Sequence, residues 1–375
     1  MKGFGLYIHI PFCPYKCNYC DFLTFAKADR GIDKYVEYLK KEINMYRWKG
    51  YSLDSIFIGG GTPSYIDSKY IVEIMDLVRE VFQLQDDCEI SIEMNPNTLT
   101  KEKIRDYLNC GINRFSLGVQ TFDDEILKIL GRSHTKDIIF KDVEMMRANG
   151  VKNLSVDMML ANPKQDMQVL ERDLQCIAKL DIDHISYYTL ILESKTMFDY
   201  WLKKGAIQLF DDDLEREMFN RVNDQLISLG FHRYEVSNFA KLGYESRHNK
   251  KYWQLKDYLA VGLGAASNIG NIRYKNQVTF KRYYEDIDNG EIPIMERELL
   301  SEEDREKEFI ILNMRMTQGF DVNVINDRFQ IDFTTKYKDV LEKHLAMNNI
   351  EIKNNIVRFT HMGMDLSNQF YIDII

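Results

Sequence analysis

Tyr7-Ile8-His9-Ile10-Pro11-Phe12-Cys13-Pro14-Tyr15-Lys16-Cys17-Asn18-Tyr19-Cys20 is the stretch on which the reading of this chain turns. An apolar, strand-like run is stopped by Pro11, and three cysteines spaced C-x3-C-x2-C follow at once. Three thiolates this close together can face one small object only if the backbone curls around it. An iron–sulfur cluster is such an object, because Cys thiolate is its usual ligand. Three ligands on four irons leave one iron open to bind and activate a cofactor or substrate. A ferredoxin would close the site with a further cysteine nearby, but the position two beyond Cys20 is Phe22, and Cys88 is far off in sequence. A zinc site would want four ligands at finger-like spacing, and no paired Cys/His group follows. Cys88, Cys110 and Cys176 are scattered among apolar neighbours and read as buried small hydrophobes. Six cysteines in 375 residues are not a disulfide framework.

Outward from this stretch, strand-like and helix-like segments alternate. Strands are expected at 5–10, 55–58, 89–94, 114–119, 153–159 and 184–190. Helices are expected at 31–48, 68–82, 100–109, 123–130, 136–149 and 167–179. Repeated βα units imply parallel strands with right-handed crossovers. Polar and glycine residues recur at the strands' C-terminal ends: the cysteines, Gly59-Gly60-Gly61-Thr62, Glu93, Gln120 and Asp157. In a βα barrel those ends form one rim, where chemistry is found. Six units are too few for eight strands, so the fold class is α/β, a partial (β/α)6 barrel. Barrel, extension and C-terminal domain are expected over 1–230, 231–300 and 301–375. The last reads as a small winged-helix-like α+β domain, with helices near 304–316, 321–328 and 334–348 and a hairpin turning at Asn354-Asn355. Ser301-Glu302-Glu303-Asp304 has the form of a helix N-terminus.

Composition narrows the function. The chain is 45% hydrophobic and 29% charged, with a formal net charge of -9. Residues 301–375 hold nine Lys/Arg against thirteen Asp/Glu. An acidic surface disfavours a nucleic-acid footprint, so the winged-helix-like domain is expected to pack or to contact a partner. There is no apolar run of about 18 residues. The start, Met1-Lys2-Gly3-Phe4-Gly5, carries no signal-peptide pattern, so a cytoplasmic protein is expected.

The motifs then resemble a known family. C-x3-C-x2-C directly after a first barrel strand resembles the radical S-adenosylmethionine proteins. Tyr7 to Cys13 and Cys20-Asp21-Phe22 narrow the resemblance to the oxygen-independent coproporphyrinogen III oxidase-like (dehydrogenase-like) branch, closest to HemW-type haem chaperones. The resemblance implies a [4Fe–4S] cluster on Cys13, Cys17 and Cys20, with S-adenosylmethionine on the open iron. Positions matching Tyr7, Gly60 and Glu93 contact this adenosylmethionine in the dehydrogenases. Those matching Tyr19, Gly61, Thr62, Gln120, Arg132 and Asp157 contact a second one. Two stretches depart from the family pattern. Ala161-Asn162-Pro163-Lys164 replaces a Gly-hydrophobic-Pro-Gly loop, and Ala266 stands where histidine is frequent. Phe22 stands where the dehydrogenases carry an additional cysteine, which counts against porphyrinogen decarboxylation.

His248-Asn249-Lys250-Lys251-Tyr252-Trp253 matches the H-N-x-x-Y-W motif of the chaperones. Imidazole is a good axial haem ligand, so His248 is a candidate haem ligand; the competing reading has His248 and Asn249 fixing a loop by hydrogen bonds. The resemblance thus implies haem as cargo, haem-accepting proteins as partners, an electron donor, and peripheral membrane contact through acceptors. Two alternatives remain: a coproporphyrinogen III dehydrogenase, or another radical reaction on a tetrapyrrole such as anaerobic haem ring opening.

Overall fold

The computed structural model describes residues 3–208 and 210–375. Met1 and Lys2, part of the stretch read above for a leader, lie outside the described residues, as does Leu209. Strand β1 (Phe4–Ile10) buries Leu6, Ile8 and Ile10 completely, while Tyr7 on the opposite face lines a cavity. This is the two-residue period of a strand. Immediately after it, β2 (Phe12–Cys13) pairs in parallel with β3 (Phe25–Ala26). Phe25 N–H donates to Pro11 O at 2.7 Å and Lys27 N–H to Cys13 O at 3.2 Å, so the cysteine loop is pinched at its base.

Strands β4 (Ser52–Gly60), β5 (Gln83–Met94), β6 (Arg114–Gln120), β7 (Leu154–Leu160) and β8 (His184–Thr189) follow. The six run parallel in the order β1-β4-β5-β6-β7-β8. Helices Ile32–Asn44, Ser68–Val81, Lys101–Asn109, Lys136–Ala148 and Met167–Ile177 connect them. Three of these helices start where a side chain accepts a free backbone N–H: Asp67, Thr100 and Asp166. The result is a partial barrel whose strand C-termini share one rim. Cys88, Cys110 and Cys176 lie in its apolar core.

Residues 232–299 add the two flanks of the same twelve-stranded sheet. β9 (His232–Arg233) and β10 (Asn238–Ala240) run antiparallel beside β8. β11 (Tyr258–Val261) pairs in parallel with β1, and β12 (Ala266–Ile269), β13 (Ile272–Asn276) and β14 (Ile294–Leu299) continue antiparallel from it. Between the flanks, helix Arg247–Trp253 packs at the N-terminal ends of β1, β4 and β5. Lys251 reaches Gly3 O and Asp54, and Arg247 reaches Asp87.

The C-terminal region has its own core, built on Phe309, Ile310, Phe333 and Val357. Helix Glu302–Asn313 begins with a reciprocal Ser301/Asp304 capping box. β15 (Phe320–Asp321), β16 (Ile350–Lys353) and β17 (Ile356–Phe359) form a small antiparallel sheet. Two helices lie beyond the expected set, His361–Asp365 and Ser367–Ile374, and the second places Phe370 and Ile374 in that core.

Candidate functional site

Cys13, Cys17 and Cys20 are half-buried and line one wall of a 520 Å³ cavity inside the barrel. The loop that carries them is tied at its middle. Asn18 donates through its backbone N–H to Leu130 O at 3.0 Å and through Nδ2 to Ile129 O at 2.9 Å, and its carbonyl accepts Phe198 N–H at 3.0 Å. A Cβ on Gly131 would lie 3.1 Å from Asn18 Nδ2, and its φ of +76° suits glycine. Lys16 Nζ donates to Phe22 O and to Thr24 Oγ1, which fixes the loop's far side. Burial pushes the Cys13 thiol up to about 11, partly offset by Thr62, whose Oγ1 lies 3.5 Å from its sulfur; burial raises Cys20 also. Among the described residues no three His, Cys, Asp or Glu side chains converge at the spacing of a single metal ion.

The glycine run at the end of β4 lies against β1 with no room for side chains. A Cβ on Gly60 would stand 2.4 Å from the His9 ring, and one on Gly61 2.7 Å from Phe12 O. Gly60 N–H donates to Glu93 Oε2 at 3.0 Å. His9 Nε2 lies 3.0 Å from Leu23 O, which can only accept, and burial lowers the imidazole to about 4. The ring is therefore neutral with its proton on Nε2, and Nδ1 accepts Tyr7 O–H at 3.0 Å. Burial, reinforced by the nearby Asp157 charge, lifts Glu93 to about 7, against the Gly60 amide.

A second chain of contacts crosses the rim. Asn95 Nδ2 donates to Thr62 Oγ1 at 2.7 Å, and Arg132 Nη1 donates to Asn95 Oδ1 at 2.6 Å. Arg132 Nη2 donates to Tyr19 OH at 2.6 Å, while its buried Nε has no partner. That free donor on a fixed guanidinium suits a carboxylate. Gln120 ends β6 at φ +72°, where the register with β7 shifts, and its Oε1 accepts Tyr188 O–H at 2.6 Å. Ser116 Oγ donates to Asp157, and burial raises that carboxyl despite hydrogen bonds from Ser186 and Ser116.

The cavity thus gathers Tyr7, the three cysteines, Tyr19, Gly60, Gly61, Thr62, Glu93, Gln120, Arg132 and Asp157. Asn95, Ser116 and Tyr188 line it too and were missed by the sequence reading. For Asn95 the available signal was its position just past Glu93 at the end of a strand.

His248 is placed differently. Its side chain is fully buried, Nδ1 lies 3.1 Å from Ser55 Oγ, and Nε2 lies 2.9 Å from Tyr252 OH. Burial, with Lys251 nearby, lowers it to about 3. Both ring nitrogens are engaged and none faces a cavity, so the expectation of His248 as a direct haem ligand is not met by this geometry. Asn249, Tyr252 and Trp253 of the same helix do reach the cavity. His134, His184 and His344 hold internal contacts to Val119 O, to Ser155 and Tyr234, and to Asp373. A second cavity, of 760 Å³, opens beside the first and is lined by Tyr7, Phe22, Glu93, Tyr252, Tyr258 and Lys275, among others.

With this geometry in place, known proteins can be compared. Residues 7–177 match the Radical SAM superfamily and residues 300–366 the HemN C-terminal domain. The heme chaperone HemW of Bacillus subtilis (strain 168) is 35% identical over 372 residues, covering 97% of this chain and 97% of its own. The chain belongs to the HemW family of radical S-adenosylmethionine proteins. The heme chaperone HemW of Lactococcus lactis is 31% identical over 370 residues, 99% of this chain and 97% of its own. The Escherichia coli HemW is 36% identical over 268 residues, 71% and 70% of the two chains. The solved structure of the Escherichia coli coproporphyrinogen III oxidase HemN shares the fold, with a TM-score of 0.87 at 23% identity over 99% of this chain and 90% of that one.

Membership of the superfamily brings a [4Fe–4S] cluster and S-adenosylmethionine. The residues present fit both groups. Three thiols share one anchored loop, Gly60 and Gly61 bring side-chain-free backbone to the wall of the same cavity, and the unpartnered Arg132 Nε belongs to a side chain that lines it.

Proposed function

We propose that this protein is a haem chaperone, which binds haem and transfers it to acceptor haem proteins. The observation that carries the reading is the likeness to the Bacillus subtilis heme chaperone over 97% of both chains. Phe22 adds to it. The side chain is 64% exposed and lines the 760 Å³ cavity, at the position where the dehydrogenases of the branch carry a cysteine.

In this reading Cys13, Cys17 and Cys20 hold the cluster. When bound, the cluster and S-adenosylmethionine supply one-electron chemistry. The chain's own residues bind, orient and exclude water. Glu93, ionised, attracts the methionine amino group, and the glycine run gives it backbone access. Arg132, held by Asn95 and Tyr19, presents its free Nε to a carboxylate. Asp157 and Gln120 offer acceptors to hydroxyl groups. Tyr7 keeps His9, and through it the loop at Leu23, in place.

An electron donor and haem-accepting proteins are the partners this reading requires, with peripheral membrane contact only through acceptors and a cytoplasmic location. Among the described residues no helix is long and apolar enough to cross a membrane. The test is transfer. The reconstituted protein is loaded with haem, mixed with an apo haem protein, and the acceptor's spectrum followed, with coproporphyrinogen III offered in parallel under reductant. Acceptor loading is expected. Protoporphyrinogen formation without transfer would overturn the reading in favour of the dehydrogenase.

A further inference from the structure

Gln120 lines the barrel cavity from a backbone shape that a regular strand does not supply. We propose that Asp173, on helix Met167–Ile177, is a positioning residue for the S-adenosylmethionine site, and that it acts by holding the turn that aims Gln120 into the cavity. The inference rests on the adenosylmethionine reading of that cavity and goes beyond it. It does not depend on the chaperone reading.

The chain leaves the regular strand at Val119. Gly118 lies opposite Asp157 of β7 and Gln120 opposite Met158, so Val119 is an extra residue in β6. Met158 is packed in the apolar core. Residues facing each other across two strands point to the same side of the sheet, so a regular β6 would send the Gln120 side chain into that core. It lines the cavity instead. Gln120 has φ +72°, and Thr121 N–H donates to Val119 O at 3.0 Å. A three-residue turn with positive φ at its centre is rare and strained, and a residue other than glycine stays in it only where its surroundings hold it.

Asp173 supplies that hold. Its buried carboxylate accepts Thr121 O–H at 2.9 Å and Phe122 N–H at 2.8 Å, from the two residues that follow Gln120. Thr121 Oγ1 in turn accepts Asp123 N–H at 3.1 Å. On the other side of the turn, His134 Nε2 donates to Val119 O at 3.3 Å. Tyr188 O–H donates to Gln120 Oε1 at 2.6 Å, which fixes the amide, and Nε2 lies 3.1 Å from where a Cβ on Gly118 would stand. The amide thus offers a ligand in the cavity a donor at Nε2 and the second lone pair of Oε1. Asp173 and Thr121 do not line the cavity, so they reach a ligand there through the turn.

The test is isothermal titration of S-adenosylmethionine into the anaerobically reconstituted full-length protein, with the cluster absorption recorded for every variant. Burial pushes the Asp173 carboxyl up to about 7, so the titrations are run at about pH 8.5, where it is ionised. Gln120→Ala and Asp173→Ala are each expected to weaken binding about three- to tenfold, the size of one neutral hydrogen bond. Asp173→Asn, whose amide oxygen can still accept Phe122 N–H, should recover most of that loss. The double variant Asp173→Ala/Gln120→Ala should bind no more weakly than Gln120→Ala, because both changes remove the same contact. Thr121→Val takes away only the hydroxyl, and it replaces Asp173→Ala in the cycle with Gln120→Ala if that variant does not hold a cluster. Losses that add in the cycle, no recovery in Asp173→Asn, or wild-type affinity in Gln120→Ala or in its partner variant would overturn the assignment and leave the cofactor site standing. Absence of adenosylmethionine binding by the wild type would refute the cofactor reading, and this assignment with it.

Discussion

Replacing Gly60 by alanine tests the site through a single methyl group. Gly60 has φ +112°, and a Cβ built there lies 2.4 Å from both Cε1 and Nδ1 of His9. His9 cannot swing aside cheaply, because Tyr7 OH and Leu23 O hold its two nitrogens at 3.0 Å each. Forcing a side chain into left-handed backbone costs ~1–2 kcal/mol. Pushing into a packed site adds ~1–3 kcal/mol. The expected loss is therefore about 2–5 kcal/mol. Gly50 provides the comparison: its φ is +69°, but nothing lies within 4 Å of its Cβ position, so Gly50→Ala carries the backbone term alone. Urea unfolding of the two variants should place Gly60→Ala well below Gly50→Ala, and adenosylmethionine binding should weaken only in the former, because His9 anchors the loop after the cysteines. Equal midpoints within ~0.5 kcal/mol, with unchanged adenosylmethionine affinity, would refute the close packing of the glycine run on His9.

Three other expectations follow from the same contacts. Glu93 is lifted to about 7, and an ammonium partner needs it ionised, so adenosylmethionine affinity should rise with pH towards 7 and level above it. Below 7 the slope should approach about tenfold per pH unit, and isothermal titration of Glu93→Gln should show a flat profile. Arg132→Lys cannot reach Asn95 and Tyr19 together, and losing charge-assisted bonds should weaken adenosylmethionine binding by ~1.5–3 kcal/mol in the same titration. Lys251→Ala removes an ammonium that is 4% exposed and 2.6 Å from Asp54. Because Asp54 is 26% exposed, the loss should sit at the low end of a broken buried pair, about 3 kcal/mol by urea unfolding.

The parallel strands were legible because each combines a buried apolar run with a polar end. The expected 184–190 strand is His184–Thr189 in the structure, and the expected 5–10 strand is Phe4–Ile10. β5 was read six residues short, because Gln83-Leu84-Gln85-Asp86-Asp87 has no apolar alternation and is held by pairing with Ser52 and Leu53. β11 could not be placed from sequence. Four residues carry little period, and its partner β1 lies some 250 positions earlier in the chain. Within the site, cysteines and glycines announce themselves by spacing. Asn95 and Tyr188 do not, since their roles exist only through Arg132 and Gln120 across the rim. His248 shows the opposite case: a motif visible in sequence does not say which of its side chains line a cavity, and the fold buries His248 while Asn249, Tyr252 and Trp253 line the barrel cavity.

The central claim is that three cysteines hold one cluster with an iron open to S-adenosylmethionine. The direct measurement is electron paramagnetic resonance of the anaerobically reconstituted, reduced protein before and after adding S-adenosylmethionine, with Cys17→Ala alongside. The account predicts a [4Fe–4S] signal that shifts on addition, and its absence from Cys17→Ala. A signal indifferent to S-adenosylmethionine, or an intact cluster in Cys17→Ala, would contradict it.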